Sequence, residues 1–245
     1  MDDRESVSKT TLAFDVYGTL IDTAGVVSTL QEFVGGPKAH DLSRMWREKQ
    51  LEYSFRRGLM RQYETFAVCT RDALDYACAQ LDVSLTEDDR DALLAVYRRL
   101  PAFSEVEESL AALSDDQFAV YAFSNGTADA VQTLLTNAGI ADYFLGVVSV
   151  DDLRTFKPNP DVYRYFLEQV GATDRDAWMI SGNPFDVIGA MSAGMHGAWV
   201  RRSADAVFDP WGIDPTLTVE NLAGIGDRIE SLRKPSLDRH GRVQR

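Results

Sequence analysis

Nowhere in its 245 residues does the chain hold a run of about 18 apolar residues, so a membrane-spanning helix is excluded. Nor does it open on a signal peptide: Met1 to Lys9 is polar and acidic and has no apolar segment. A soluble, cytoplasmic protein is expected. Cysteine is scarce. Cys69 and Cys78 are the two present, in what reads as one helix; at roughly 100° per residue they face opposite sides, cannot bridge each other and are expected to be reduced thiols. Lysine is rarer than arginine, 5 against 20, and the 25 basic side chains face 38 acidic ones, for a net charge of −13. That balance lacks the basic patches that nucleic acid and anionic membrane surfaces require, so neither is expected as a partner. Asp outnumbers Glu 26 to 12, which fits either a salty milieu that screens self-repulsion or drift in a GC-rich genome. The histidines, His40, His196 and His240, lie away from every motif below and are assigned no role.

What is present is enough apolar material, 45% of the residues, for one large domain or a core domain carrying a smaller insert. Short apolar runs end in small or polar residues at Leu12 to Asp15, Phe118 to Ser124, Leu145 to Val150, Ala177 to Ser181 and Gly197 to Val200. Helix-length segments such as Thr127 to Ala138 and Pro160 to Val170 lie between the later runs, as in a βαβ series that forms a parallel sheet. Right-handed crossovers then open all the strand ends on one edge. About a hundred residues separate the first run from the second, and their apolar positions recur at three- and four-residue spacings: Leu42, Met45, Trp46, Tyr53, Leu59, Tyr63, Phe66, Ala73, Leu74, Ala77, Leu81. The expected architecture is α/β, a Rossmann-like parallel-sheet core over 1–21 and 100–233 with a helical cap inserted after the first strand, over 22–99. Lys234 to Arg245 reads as a polar, disordered tail.

Four strand ends carry chemistry-bearing residues. Asp15 ends the first run and a Gly-Thr turn follows, which presents a carboxylate where open α/β sheets bind ligands; a turn or cap Asp would look the same. Ser124-Asn125-Gly126 opens a helix, as an anion site or as a plain cap. Lys157 precedes Pro158 after the third run, held extended, and reads equally as a solvated loop lysine. Ser181-Gly182-Asn183-Pro184-Phe185-Asp186 follows the fourth, with Asp186 at a helix start that favours the anion, for chemistry or for capping.

In order, Phe14-Asp15-Val16-Tyr17-Gly18-Thr19-Leu20, Ser124-Asn125-Gly126, Lys157-Pro158 and Asn183-Pro184-Phe185-Asp186 resemble the four motifs of the haloacid dehalogenase superfamily, from about Thr11 to Leu232. Most of its members are phosphatases with a second Asp two residues after the nucleophile, the general acid that protonates the leaving oxygen. Tyr17 stands there, and a halide needs no proton. Where phosphatases offer Mg²⁺ a pair of acids, Asn183 precedes Asp186. The segment Met45 to Tyr53 with Leu59-Met60, Tyr63 and Phe66 resembles the helical cap of the L-2-haloacid dehalogenases, in which an Arg after the Trp reaches the halogen; here that is Arg47.

The resemblance implies (S)-2-haloacid hydrolysis with no metal or other cofactor, a 2-haloacid as small-molecule partner, and a homodimer. It implies that Asp15 attacks the halogen-bearing carbon and is esterified. Arg47 and Asn125, with Phe66 alongside, would stabilise the halide. Ser124 would hold the substrate carboxylate, and Lys157 would offset the anions. Asp186, oriented by Ser181 and Asn183 and supported by Tyr163, would activate water. Tyr17 and Leu51 would line the pocket. Phe185 stands where a Trp is frequent, which implies more room and leaves the chain-length preference open. A Mg²⁺-dependent phosphomonoesterase and a catalytically silent binding protein are the other readings of this fold. Arg56-Arg57 and Arg201-Arg202 read as solvated charge.

Overall fold

In the computed structural model, residues 9–113 and 117–233 are described; the N-terminal residues 1–8 and the tail 234–245 lie outside them. Strand β1 (Thr10–Phe14) is buried along its whole length. It is followed by helices α1 (Gly25–Val34), α2 (Gly36–Met60), α3 (Phe66–Gln80), α4 (Glu87–Val96) and α5 (Val106–Ala111) before β2 (Phe118–Ser124). The remaining elements alternate: α6 (Ala128–Asn137), β3 (Gly146–Ser149), α7 (Pro160–Val170), β4 (Ala177–Ser181), α8 (Pro184–Ser192), β5 (His196–Val200), β6 (Leu217–Val219) and α9 (Ile225–Arg233). All strand pairs are parallel, in the order β3-β2-β1-β4-β5-β6. The order reverses at β1, which pairs with β2 on one side and β4 on the other, and a crevice opens beyond the strand ends at such a reversal.

Both faces of the sheet are covered, which is why its strands read as apolar runs rather than alternating ones. Leu12, Phe14, Trp178 and Ile180 pack into one core with α1, α2 and α6, while Ala13, Phe123 and Met179 pack into a second with Tyr163 and Phe166 of α7. Among the helices before β2, α2 and α3 are joined by polar as well as apolar contacts. The Trp46 indole N–H donates to the Thr70 carbonyl at 2.7 Å, and the Gln50 amide donates to the Thr70 hydroxyl at 2.6 Å.

Within the helical insert, Leu59, Tyr63 and Phe66 span a break: α2 ends at Met60, Arg61 takes a left-handed φ of 55°, Thr65 caps α3, and Leu59 is 86% exposed. Two expectations are corrected. Arg57 is not solvated charge, since it pairs with Asp72 at 2.7 Å and ties α2 to α3. Arg202 likewise pairs with Glu105, donates to the Thr19 carbonyl and lies 3.9 Å over the Phe103 ring, so it braces the loop that follows β1. Strand β6 was not foreseen.

The loops after β1 and β4 touch at their glycines. A Cβ on Gly182 would lie 2.3 Å from the Gly18 carbonyl oxygen, a backbone atom that cannot swing aside. Gly182→Ala should therefore cost about 1–3 kcal/mol through forced backbone movement. A fall in the urea midpoint at unchanged slope checks this, and an unaltered midpoint would contradict the contact.

Candidate active site

The strand ends at the β1/β4 reversal bring Asp15, Ser124, Lys157, Asn183 and Asp186 together. Asp15 sits one residue past β1, its N–H held by the Ile180 carbonyl at 3.0 Å, which continues the sheet pairing and fixes the carboxylate at the edge. Its Oδ2 accepts from the Thr19 hydroxyl at 2.7 Å and the Asn183 Nδ2 at 2.8 Å; its Oδ1 faces the Lys157 Nζ at 3.3 Å. Thr19 went unremarked in the sequence reading although it lies inside the first motif. Its hydroxyl also accepts the Gly182 N–H at 2.8 Å, so one side chain ties the loop of Asp15 to the loop after β4.

Lys157 is no solvated lysine. It is 1% exposed, and its ammonium donates to the Phe123 carbonyl at 2.7 Å and to the Asp186 Oδ2 at 2.8 Å while facing Asp15. The ring of Phe123 lies 4.3 Å from the same nitrogen. The backbone N–H of Lys157 donates to the Asn125 Oδ1 at 2.9 Å, which orients that amide and leaves its Nδ2 without a protein acceptor among the described residues. Ser124, buried, accepts the Gly126 N–H at 3.1 Å and so shapes the turn into α6.

Asp186 departs from expectation. Its place at the start of α8 was read as favouring the anion, yet it is fully buried, and that burial pushes its carboxyl up to about 6 against the opposing pull of the Lys157 ammonium. It does not cap α8: the Tyr163 hydroxyl donates to its Oδ1 at 2.8 Å and Lys157 holds its Oδ2. Ser181 and Asn183 do not orient this carboxylate by hydrogen bonds. The Ser181 hydroxyl accepts the Asn183 N–H at 3.0 Å, and the Asn183 amide turns to Asp15 and to the Tyr17 carbonyl. The Tyr163 phenol is held far above its ordinary range, first by burial and then by Asp186, so it is a permanent donor.

From the cap side, Arg47 on α2 reaches the same crevice. Its guanidinium donates to the Gln50 Oε1 at 2.7 Å and makes a longer contact, 3.4 Å, to the Asn183 Oδ1. Both partners are neutral, and among the described residues no carboxylate pairs with it, so its charge is uncompensated. Leu51, half-buried, follows one turn later on α2. Tyr17 and Phe66 approach with ring centroids 6.3 Å apart, and burial lifts the Tyr17 phenol to about 12 despite the Arg47 charge, so it stays neutral. Phe185 packs edge-on against Phe55 of α2, centroids 5.1 Å apart. Gln50, Thr70 and Tyr97 are further site neighbours that the sequence reading did not single out.

A family model for haloacid dehalogenase-like hydrolases matches residues 9–194. Haloacetate dehalogenase H-2 of Moraxella sp. (strain B) is 37% identical over 87% of this chain and 95% of its own length. The (S)-2-haloacid dehalogenase of Pseudomonas sp. (strain YL) is 35% identical over 90% and 94% respectively. The structure of L-2-haloacid dehalogenase from Xanthobacter autotrophicus with chloropropionic acid covalently bound is similar with a TM-score of 0.85 at 30% identity, covering 92% of this chain and 100% of that one. The chain belongs to the haloacid dehalogenase-like hydrolases and, within them, to the L-2-haloacid dehalogenase subfamily.

The buried ammonium dictates a stability test. Lys157→Met leaves two carboxylates without their shared cation and should cost about 3–5 kcal/mol near pH 8. Asp186 already binds its proton more tightly folded than unfolded, so falling pH favours the fold, and removing the ammonium strengthens that dependence. The loss should shrink at pH 5 in denaturant titrations; an equal loss at both pH values would contradict the charge account.

Proposed function

We propose that this protein hydrolyses (S)-2-haloacids by way of an ester on Asp15, giving (R)-2-hydroxyacids. The observation that carries the reading is a buried, cation-backed carboxylate facing an arginine, Arg47, whose charge no carboxylate neutralises. An Asp15 oxygen attacks Cα from the side opposite the halogen; the C–O bond forms as the C–X bond breaks, and the halide leaves with the electron pair. Arg47 and the free Nδ2 of Asn125 stabilise that developing anion, and their preorganisation is what accelerates the step. Ser124 and nearby N–H groups hold the substrate carboxylate, with Leu51, Phe66, Tyr17 and Phe185 around the carbon chain. Water then gives a proton to Asp186 and attacks the Asp15 carbonyl carbon; the acyl C–O bond breaks, the alkoxide takes that proton from Asp186, and Asp15, left as the carboxylic acid, releases the second water proton to solvent and is regenerated as the carboxylate.

No step needs a metal, and Tyr17 and Asn183 stand where a metal-dependent phosphatase has acids. We take the enzyme to work in the cytoplasm as a homodimer, a reading that rests on the family resemblance; light scattering tests the dimer.

Halide should be released from the (S)-enantiomer of 2-chloropropionate, undiminished by EDTA. Phosphate release from p-nitrophenyl phosphate that requires Mg²⁺, without halide release, would overturn the proposal. Arg47→Ala should slow ester formation roughly 10²-fold or more. Asp186→Asn should instead form the ester and fail to clear it, which intact-mass spectrometry detects; a folded variant that never forms the ester would reassign Asp186 to the first step. In the native enzyme, ester hydrolysis should decline as acid protonates Asp186, because a protonated Asp186 cannot accept the proton of water; esterified Asp15 carries no charge, so the decline sets in below the value of about 6 that holds beside the Asp15 anion. Single-turnover rates across that range check it.

A further inference from the structure

A short chain of hydrogen bonds runs from the interior of the cap to the Arg47 guanidinium, and each donor in it is dictated by the one before. The Thr70 hydroxyl gives its single proton to the Phe66 carbonyl, one turn back on α3, at 2.8 Å, so toward Gln50 its oxygen can only accept. Gln50 must then turn its Nε2 to Thr70, at 2.6 Å, which leaves Oε1 to receive the Arg47 Nη1 at 2.7 Å. Gln50 is 1% exposed and Thr70 6%, so water does not compete for these bonds. The Trp46 indole, donating to the Thr70 carbonyl at 2.7 Å, fixes α2 against α3 beside them.

The acceptor on Arg47 is an amide at a spacing where a helix could as well have placed a glutamate, since residues three apart share a face. The carboxylates that flank Arg47 on α2 are engaged elsewhere: Glu48 lies 4.0 Å from Arg44, and Glu52 pairs with Lys49 at 2.6 Å and with Arg56. Tyr17 and Tyr97 feel the Arg47 charge, yet burial lifts both phenols to about 12, so they are neutral. Arg47 is therefore held in direction by groups that take none of its charge.

We infer that Gln50, locked by Thr70, is a positioning residue for halide departure: it aims the Arg47 guanidinium at the crevice while leaving it cationic. The inference rests on the dehalogenase reading. The test is kcat/KM for (S)-2-chloropropionate, by halide release. Gln50→Glu keeps the shape and the acceptor but sets a carboxylate on Arg47, a pairing that preserves the fold, and it should lose about tenfold or more. Gln50→Met keeps the volume and leaves the guanidinium charged but unaimed, so it should lose about fivefold, the scale of one hydrogen bond, and less than Gln50→Glu. Made in the Arg47→Ala enzyme, Gln50→Met should cost nothing further, because no guanidinium is left to aim. Thr70→Val should lose about fivefold, and Thr70→Ser, which restores the hydroxyl, should stay within about twofold of native.

A Gln50→Glu enzyme as active as the native one overturns the inference, as does a Gln50→Met enzyme more impaired than Gln50→Glu. So does a Gln50→Met loss that persists undiminished in the Arg47→Ala enzyme, which would mark Gln50 as packing alone. Should Gln50→Glu not fold, that cycle and the Thr70 pair decide, and a Thr70→Ser enzyme as impaired as Thr70→Val counts against the relay. If the native enzyme releases no halide from any 2-haloacid, the dehalogenase reading has failed and the inference with it; native halide release matched by all these variants leaves that reading standing and removes the relay alone.

Discussion

One buried ammonium, that of Lys157, is the constraint on which the site depends. Two unit negative charges about 4 Å apart repel by about 4 kcal/mol at an effective dielectric of 20, and a substrate carboxylate adds a third anion to the crevice. Lys157 lies between Asp15 and Asp186, with a backbone carbonyl completing its shell, so both carboxylates can be kept dry and near each other. The ordering of the loops follows from the same demand. A cation so deep must come from a rigid element, and the Asn125 side chain fixes its backbone.

The two acids are thereby made unlike. Asp15 receives the Thr19 hydroxyl and the Asn183 amide on Oδ2, donors that fix the orientation of its carboxylate. Asp186 has no exposure, and burial raises its carboxyl above the usual carboxylate range, which suits the proposed role of taking a proton and returning it. In the proposed mechanism one type of side chain serves two steps because its surroundings differ, an arrangement that recurs where two carboxylates divide acid and base work.

Much of this was legible before any coordinates. Strands β2 and β4 and helix α7 follow from continuous apolar runs and from Pro at the helix start, signals that are local. Strand β6 gives no such signal, being three residues with one fully buried, Val219. The break between α2 and α3 was invisible because Phe66 resumes at a spacing that a continuous helix would also produce, although Thr65 marks the new start. For Asp186, the helix-end field was weighed and loss of solvent was not; burial, set by distant strands, outweighs a partial charge. Arg202 and Phe55 act through partners about a hundred residues away in the chain, and no local pattern announces such contacts. Asp15, Lys157 and Asn183 were found because motifs place them at strand ends, but their mutual bonds come from the sheet order.

The Asn183 amide has one face toward each half of the molecule: its nitrogen donates to Asp15 and its oxygen meets Arg47 at 3.4 Å, the longest link in the network. That link is already near the limit of a hydrogen bond, so an outward shift of α2 by about an ångström breaks it while the core bonds around Asp15 survive. The surroundings of Asp15 are thus assembled by the sheet edge, whereas the guanidinium that faces it comes from the cap helix α2. Because the carboxylate and the cation that faces it are carried by separate parts of the fold, a substitution in α2 can alter the pull on a leaving anion while the hydrogen bonds that hold Asp15 stay in place.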